Sequence, residues 1–374
     1  MEDNQTPGTA PEKKTTARRI LTVAVAALLL FAILFGLNLL FLPKYSKENL
    51  AEGALIGEYY RETTDHDVLF VGDCEVYEGF IPEVLWKEYG MTAYVRGSAQ
   101  QLTWQSYYIM EETFRYESPK VVVFNVLALK YGEPQKEEYN RMTLDGMRLS
   151  ASKWNAIRAS MTEGESFASY LFPLLRYHSR WKDLSWADVT GIFRKETVSH
   201  SGYLMQTGIK PQTSASEGLP LEDYTLPAVG FAYLDKMKAL CEEHGATLIL
   251  IKAPTNNWRY WWYDEWDEQV SQYAAAKGLT YLNLIPEADA MGIDWSTDTY
   301  DAGVHLNVYG AEKLTRYFGE YLSEHFSFGA HDEKTDKVWQ KKYDSYLKER
   351  NREEQGKTGE NPEEPGRTRE LREV

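Results

Sequence analysis

Residues 67–74 read Asp-Val-Leu-Phe-Val-Gly-Asp-Cys, an apolar run that ends in a glycine and two further residues able to start a turn. Four consecutive apolar side chains next to a turn signal predict a short strand buried on both faces. The turn at Gly72 and Asp73 then places Cys74 at the carboxyl end of that strand. Ligands bind at this edge of open α/β sheets, so Cys74 is the first candidate for a reactive residue.

A second stretch, far along the chain, supplies the groups that a nucleophile needs. Residues 301–307 read Asp-Ala-Gly-Val-His-Leu-Asn, and Gly310 follows. A nucleophile requires a base, and the base requires a partner that orients it. His305 is the candidate base, and Asp301 is the candidate carboxylate. A fold that brings the two stretches together would form a Cys-His-Asp constellation.

Between these stretches the chain alternates strand and helix patterns. The repeated alternation predicts a parallel sheet with helices on both faces, joined by right-handed crossovers. The predicted strands are 67–71, 92–95, 120–126, 246–251 and 279–285. The predicted helices are 77–89, 102–114, 231–243, 264–277 and 309–326.

The remaining regions are less regular. Residues from about 130 to 226 are predicted to be a helical insertion with a poorly structured loop near 213–216. Residues 66–328 form the predicted main domain around this insertion. Residues 44–65 are predicted to be a stalk. The charged residues 329–374 are predicted to be a disordered tail, with a short helix as an alternative at 338–349.

Residues 20–43 contain no charged side chain and predict a transmembrane signal anchor. As a helix this segment would span about 36 Å, enough for a bilayer core of about 30 Å. A buried core helix is the alternative. More basic residues precede the segment than follow it, which favours a cytoplasmic tail at 1–19 and an extracytoplasmic main domain. These basic residues are Lys13, Lys14, Arg18 and Arg19 before it, and Lys44 and Lys47 after it.

Composition excludes some functions. The formal net charge is −15 over 374 residues, and this argues against nucleic acid as a partner because phosphate binding needs clustered Lys and Arg. The seven histidines are scattered without metal-binding spacing, so neither a metal nor another cofactor is predicted. The two cysteines, Cys74 and Cys241, could form one disulfide in an exported protein, although buried free thiols are the preferred interpretation.

Two further residues follow predicted strands at the same edge of the sheet. Gly97 could donate a backbone N–H to an oxyanion, and Asn125 could donate its side-chain amide. Cys74 would lie near a helix start, which favours a thiolate, but Asp73 and Glu75 flank it and oppose this. Simpler interpretations remain open: Cys74 as a buried structural residue, His305 as a residue at a helix start, and Asn125 as a partner of loop backbone.

The order of these motifs resembles the SGNH/GDSL hydrolase superfamily over most of residues 67–326, outside the insertion. In that family a Gly-Asp-Ser block, a Gly, an Asn and a late Asp-x-x-His block form the active site. Two departures from this pattern are evident. Cys74 stands at the serine position. Asp301 and His305 are four residues apart, not three, and Ala302 occupies the expected aspartate position.

The resemblance implies a flavodoxin-like three-layer α/β/α fold with a mostly parallel sheet. With the anchor, it looks like the branch that acts on cell-envelope polysaccharides and teichoic acids. The implied activity is an extracytoplasmic acyl esterase or O-acyltransferase with a cell-envelope glycan or acyl ester as substrate. The alternative is an inactive relative that binds envelope polymer or scaffolds a multi-spanning membrane acyltransferase. Partners would be the substrate and the lipid bilayer through residues 20–43.

Candidate substrate contacts come from three places. The run Trp-Arg-Tyr-Trp-Trp-Tyr at 258–263 could stack on sugars, so Trp258 and Trp261 are candidates, with internal packing or a position near the membrane as the alternative. His178 in the insertion is a candidate, with a structural position as the alternative. Asp73 is also a candidate, although it is equally suited to start a helix.

Overall fold

Five parallel strands form the central sheet of the chain in a computed structural model, which describes residues 12–47, 49–193, 196–214 and 217–359. The strand order is β2-β1-β3-β4-β5, and every neighbouring pair is parallel. This order is the flavodoxin-like one. The predicted α/β fold with a mostly parallel sheet is therefore confirmed. The strands are β1 Val68–Gly72, β2 Ala93–Gly97, β3 Val121–Asn125, β4 Thr247–Lys252 and β5 Thr280–Asn283.

The strand register brings the carboxyl ends of the inner strands to one edge. Gly72 lies opposite Gly97, and Asn125 lies opposite Ile251. All residues of β1 and β3 are buried, because helices cover both faces of the sheet. The polar residues that follow these strands therefore share one rim.

The helices alternate with the strands, as the sequence pattern predicts. They are α1 Glu12–Phe41, α2 Leu55–Glu58, α3 Cys74–Tyr77, α4 Pro82–Tyr89, α5 Thr103–Thr113, α6 Glu137–Leu144, α7 Ala151–Ser160, α8 Phe167–Leu171, α9 Leu174–Tyr177, α10 Trp186–Phe193, α11 Ala228–Glu243, α12 Asp264–Lys277, α13 Val308–His325 and α14 Glu333–Gly359. Short 3₁₀ segments lie at Ala51–Ala54, Tyr59–Arg61, Val126–Lys130, His178–Lys182 and Trp258–Tyr260.

The predicted helix 77–89 is divided into two helices. The first, α3, is a single turn, and α4 restarts with Pro82 at its first position. Proline is favoured there because its fixed φ suits a helix start and its missing N–H has no partner to lose. Gly79, between the helices, passes close to the carbonyl oxygen of Glu75, where an added Cβ would lie 2.4 Å away. The nucleophile candidate therefore lies on a short turn, not on a long helix.

The chain divides into two compact units, which are described separately below. The anchor unit comprises Met1–Asn49 and Glu163–Glu196, and the sheet unit comprises Leu50–Thr162 and Thr197–Val374. The predicted insertion 130–226 is therefore not one structural element. Its central part belongs to the anchor unit, and its two flanks belong to the sheet unit.

The anchor unit contains α1 and helices α8, α9 and α10. Within the described residues, one helix is long and apolar enough to cross a membrane, Thr16–Phe41, and its large apolar side chains from Ile20 to Phe35 are exposed. The alternative of a buried core helix does not fit this exposure. The helix is consistent with a single membrane anchor.

Two predicted boundaries differ from the structure. The proposed stalk 44–65 is folded from Leu50 onward, and Leu55 and Ile56 are fully buried in the sheet unit. The possible helix at 338–349 is present, but it is longer than expected: α14 runs from Glu333 to Gly359 where the rest was predicted to be disordered, and Trp339 and Tyr346 are buried. These two large aromatic side chains are seven residues apart, which places them on one face of the helix. They anchor an otherwise charged helix. Residues 360–374 lie outside the described residues.

We expect Tyr346→Phe to lower the free energy of unfolding by about 1 kcal/mol, the net value of a typical buried hydrogen bond. The Tyr346 hydroxyl donates to Oε1 of Glu312 at 2.7 Å, and this bond joins α14 to α13. Chemical denaturation of the full chain in detergent measures the effect. Tyr343→Phe on the same helix is the control, and we expect a change within about 0.5 kcal/mol. Equal effects of the two changes would contradict a specific bond at Tyr346.

Candidate functional site

Cys74 lies at the rim of the sheet, directly after β1. The Asp73 side chain accepts a hydrogen bond from the Glu75 backbone N–H at 3.2 Å and so begins the turn that presents the thiol. Only 6% of Cys74 is exposed. Both Cys74 and Cys241 are free and buried, so the disulfide that the sequence left open does not form in this structure.

His305 is held firmly by Asp301. Nδ1 of His305 lies 2.7 Å from Oδ2 of Asp301, and the His305 backbone N–H donates to Oδ1 of the same carboxylate at 2.8 Å. The intervening Ala302 and Gly303 both have positive φ, 65° and 82°. This left-handed turn folds the extra residue into the loop, so a spacing of four still brings the carboxylate to the ring.

The loop that carries His305 is joined to the loop that follows β4. Thr255 Oγ1 donates to the Gly303 carbonyl oxygen at 2.9 Å, and Asn257 Nδ2 donates to the Ala302 carbonyl oxygen at 2.7 Å. These bonds satisfy backbone groups that would otherwise be buried without partners. They also fix the position of Tyr260, three residues further along.

Tyr260 contacts both ends of the proposed constellation. The Cys74 thiol donates to the Tyr260 hydroxyl oxygen at 3.5 Å, and the Tyr260 ring packs edge-on against the His305 ring at a centroid distance of 5.1 Å. Cys74 and His305 are also close enough to influence each other's protonation. The sulfur and the imidazole therefore lie together on one rim of the sheet.

Nε2 of His305 is the buried atom that faces this thiol region. Among the described residues it has no hydrogen-bond partner of ordinary geometry, and the side chain is 11% exposed. Buried polar atoms without partners are rare in folded proteins and often mark functional positions.

The electrostatics favour a neutral thiol before reaction. Burial raises the pKa of Cys74, and this outweighs the opposing influence of His305. Burial by itself would lower the pKa of His305, but a Cys74 thiolate, the Glu78 carboxylate and the bond to Asp301 raise it well above its usual range. Removal of the thiol proton is therefore favourable only when His305 accepts it. The single turn of α3 provides little of the helix dipole that the sequence suggested.

Glu78 is a second carboxylate beside His305. It is buried, and its Oε2 lies 3.6 Å from Nδ1 of His305. The Tyr300 hydroxyl donates to both oxygens of Glu78 at 3.0 Å, and Gln206 Nε2 donates to Oε1 at 3.1 Å. Burial raises the pKa of Glu78 to about 7, despite the opposing charge of His305.

The Asn125 amide does not point toward an oxyanion position. Its Nδ2 donates to Oδ1 of Asp73 at 3.1 Å and to Oε2 of Glu75 at 2.9 Å. Its Oδ1 accepts the backbone N–H of Ala253 at 3.1 Å. The predicted oxyanion donor is therefore bonded to two carboxylates. Buried carboxylates need hydrogen-bond donors, because burial removes the water that would otherwise supply them.

Lys252 completes this polar cluster. Its Nζ donates to Oε1 and Oε2 of Glu75 at 2.7 and 2.9 Å, and to the Ala253 carbonyl oxygen at 2.7 Å. The side chains of Lys252 and Glu75 are each at most 1% exposed to solvent. The pair ties the end of β4 to the turn that carries Cys74.

Asp73 is buried within the same cluster, and burial raises its pKa to about 6. The prediction that Asp73 contacts substrate therefore does not fit the structure.

Gly97 lies at the carboxyl end of β2, next to the turn that carries Cys74. It ends β2 beside Gly72, and an added Cβ would lie 3.0 Å from the Gly72 carbonyl oxygen and 3.1 Å from Cδ1 of Tyr77. A side chain there would push against the backbone that leads to Cys74. The backbone N–H of Gly97 stays a candidate oxyanion donor, and the backbone N–H of Cys74 at the same rim is a further candidate.

The remaining predicted contacts are divided. Trp258 is 48% exposed, and Trp261 is half-buried and packs near Gly218, whereas Trp262 is buried. His178 belongs to the anchor unit, where its Nδ1 lies 3.2 Å from the Leu175 carbonyl oxygen, so it is not among the residues that the sheet unit gathers around Cys74. No group of three or more His, Cys, Asp or Glu side chains is arranged to hold a metal ion within the described ranges.

Sequence reasoning missed three of the residues around Cys74. Glu78 follows Cys74 by four residues, a spacing that places both on one helical face, and this was a usable signal. Lys252 ends an otherwise apolar strand, which predicts a buried charge that needs a partner. Tyr260 was hidden within the aromatic run at 258–263, because nothing local separates a ring that faces the site from one that packs in the core.

Comparisons with known proteins give distant likenesses among solved structures. The chain matches no family model and no curated protein. Among solved structures, it is similar to a lipase/acylhydrolase from Enterococcus faecalis at 11% sequence identity, over 71% of this chain and 98% of that chain, with a TM-score of 0.35. No property of the enterococcal protein is carried over to this chain.

Proposed function

We propose that this chain is a membrane-anchored acyl esterase or O-acyltransferase of the extracytoplasmic face, with Cys74 as nucleophile and a cell-envelope glycan as substrate. One observation supports it above the others. Nδ1 of His305 is fixed by Asp301 at 2.7 Å, while Nε2 is buried without a partner beside a thiol. This is the geometry of a base that is oriented by one group and available to another.

The proposed reaction has two steps. The Cys74 sulfur attacks the acyl carbonyl carbon while His305 Nε2 takes the thiol proton, and the carbonyl oxygen becomes an oxyanion near the N–H groups of Cys74 and Gly97. Collapse of the oxyanion breaks the bond to the leaving alcohol, which takes the proton from His305. Water or an acceptor hydroxyl then attacks the thioester carbonyl and gives its proton to His305. The C–S bond breaks, and the Cys74 sulfur takes the proton back from His305. Asp301 keeps the ring oriented throughout.

Trapping the acyl-enzyme tests this proposal. The full chain in detergent is mixed with p-nitrophenyl acetate, quenched in acid at short times, and mapped by mass spectrometry. We expect a hydroxylamine-sensitive acetyl group on Cys74, and Cys241→Ala is the matched control because Cys241 is the other buried free thiol. Absence of any adduct on Cys74, or the same adduct yield in His305→Ala, would count against the mechanism.

A second candidate function is a silent relative that binds envelope polymer or scaffolds a membrane acyltransferase. Two observations favour it: Cys74 is only 6% exposed, and the Asn125 amide is committed to Asp73 and Glu75. The exposed ring of Trp258 would then be part of the binding surface. Glycan binding that is unchanged in Cys74→Ala but weakened in Trp258→Ala, with no ester turnover in either chain, would favour this candidate.

Under the first proposal, Glu78→Gln is expected to shift the acidic limb of the pH–rate profile to lower pH by roughly one unit. The negative charge of the buried Glu78 carboxylate, next to that of a Cys74 thiolate, is one of the causes that raise the pKa of His305. Removing that negative charge makes the imidazolium less favourable, and the neutral base persists at lower pH. Rates of ester hydrolysis from pH 5 to 9 measure the shift.

The same change alters how stability depends on pH. Because the folded-state pKa of Glu78 is raised, its contribution to stability is fully present below the unfolded pKa and is lost as pH rises through about 7. Glu78→Gln removes this dependence. Glu83→Gln is the control, because Glu83 is also buried but accepts its hydrogen bond from Ser201 instead. For the pH–rate profile, an acidic limb that stays at the same pH in Glu78→Gln would show that Glu78 does not act on His305.

A further inference from the structure

The segment of the anchor unit at residues 163–193 exposes an unusual number of large apolar side chains. Trp181 is 65% exposed, Trp186 is 76% exposed and Phe193 is 83% exposed, and two others are more than half exposed. We call these five residues the interfacial face: Phe172, Leu175, Trp181, Trp186 and Phe193. Soluble proteins seldom expose so many large apolar side chains within a short segment, and such exposure commonly marks an interaction site.

The segment is attached to the last turn of α1. The Leu174 backbone N–H donates to Oδ1 of Asn38 at 2.9 Å, and Nη1 of Arg180 donates to the Phe41 carbonyl oxygen at 2.6 Å. Arg180 also binds Asp188 at 2.8 Å, which joins α10 to the same point. Since α1 ends at Phe41, these bonds hold the segment at the end of the apolar helix.

The attachment to the last turn of α1 indicates that lipid contacts the interfacial face. If α1 crosses a bilayer, its last turn lies at the boundary between acyl chains and headgroups. Trp and other aromatic side chains are enriched at that depth, where an apolar ring and a polar edge are both satisfied. Trp186 and Phe193 are seven residues apart on α10, and two helical turns place them on one face. One helix face can therefore enter the boundary layer.

We propose that the interfacial face lies in the headgroup layer of the bilayer that α1 enters, so that residues 163–193 form a membrane-surface element beside the anchor. This surface is separate from the Cys74 site and does not depend on the proposed reaction. The proposed contact with lipid also explains why the central part of the predicted insertion belongs to the anchor unit. A segment that buries its apolar side chains in lipid does not need to bury them in the protein core.

Quenching of tryptophan fluorescence by lipid tests the proposal. The full chain is reconstituted in vesicles of phosphatidylcholine and phosphatidylglycerol, with and without brominated phosphatidylcholine. None of the eleven tryptophans lies in α1, so any quenching by brominated acyl chains reports on a segment outside it. We expect clear quenching in the wild-type chain, and loss of most of it in Trp181→Phe/Trp186→Phe, which keeps the apolar character of both positions.

Trp266→Phe is the matched control. Trp266 is buried in the sheet unit, so brominated acyl chains have little access to its ring. Its loss should not lower the fractional quenching. Thermal unfolding confirms that each variant is folded. Absence of quenching in the folded wild-type chain, or quenching that persists fully in the double variant, would overturn the proposal.

Discussion

Replacing Cys74 by alanine is expected to lower the rate of ester hydrolysis at least about 10³-fold, and His305→Ala is expected to have a similar effect. The thiol is the proposed nucleophile. The pKa of Cys74 is raised by burial, so the sulfur depends on His305 to accept its proton. Losses of this size occur when residues act as one unit, and the double variant should then be little worse than either single variant.

Two further variants make this result specific. Cys241→Ala removes the other buried thiol and should leave the rate unchanged, because Cys241 lies on α11 away from the rim. Cys74→Ser should retain measurable turnover, since His305 and Asp301 can also activate a hydroxyl. Steady-state rates with a small acetyl ester, measured on the purified full chain, provide the comparison. Undiminished hydrolysis in both alanine variants would exclude the proposed mechanism.

Lys252→Met is expected to destabilise the sheet unit by about 3–5 kcal/mol, the usual cost of leaving one charge of a buried pair without its partner. Glu75 would then lose two hydrogen bonds from Nζ and keep only the Asn125 amide and its local contacts. For a unit of this size the unfolding temperature should fall by roughly 10 °C. Calorimetry or chemical denaturation of the full chain measures the loss.

A second change separates the cost of an unpaired charge from a loss of packing. The double variant Glu75→Gln/Lys252→Met removes both charges while glutamine can still bond to Asn125, so it should recover most of the lost stability. The exposed pair Lys337 and Glu333 provides the surface control, and Lys337→Met should change stability by less than about 1 kcal/mol. A cost below about 1 kcal/mol for Lys252→Met would mean that the pair does not hold this rim together.

The buried pair also accounts for the bonding of Asn125. The Glu75 carboxylate accepts from Lys252 and has room for a further donor, which the Asn125 amide supplies at 2.9 Å. The polar cluster thereby positions the turn that carries Cys74. A change in Asn125 would therefore act on the nucleophile through the backbone of this turn, in addition to any direct effect on an oxyanion.

Local sequence patterns were sufficient for the fold class and for the residues most closely linked to chemistry. The five apolar runs predicted all five strands of the described sheet to within a few residues, because a parallel strand buried on both faces must be continuously apolar. The turn residues Gly72 and Asp73 end β1, and this was enough to predict that Cys74 lies at the rim. The uncharged run 20–43 indicated a membrane anchor because a bilayer core accepts few charges.

Tertiary structure alone decided which polar groups face one another. Glu78 and Tyr260 contact His305 from distant points of the chain, and Asn125 and Lys252 both donate to Glu75. Tertiary packing also folded the charged segment 333–359 onto the sheet unit through two buried aromatic rings, and it joined residues 163–193 to α1. Periodicity reports whether a side chain is apolar, but hydrogen bonds and ion pairs depend on distances between residues that sequence order does not contain.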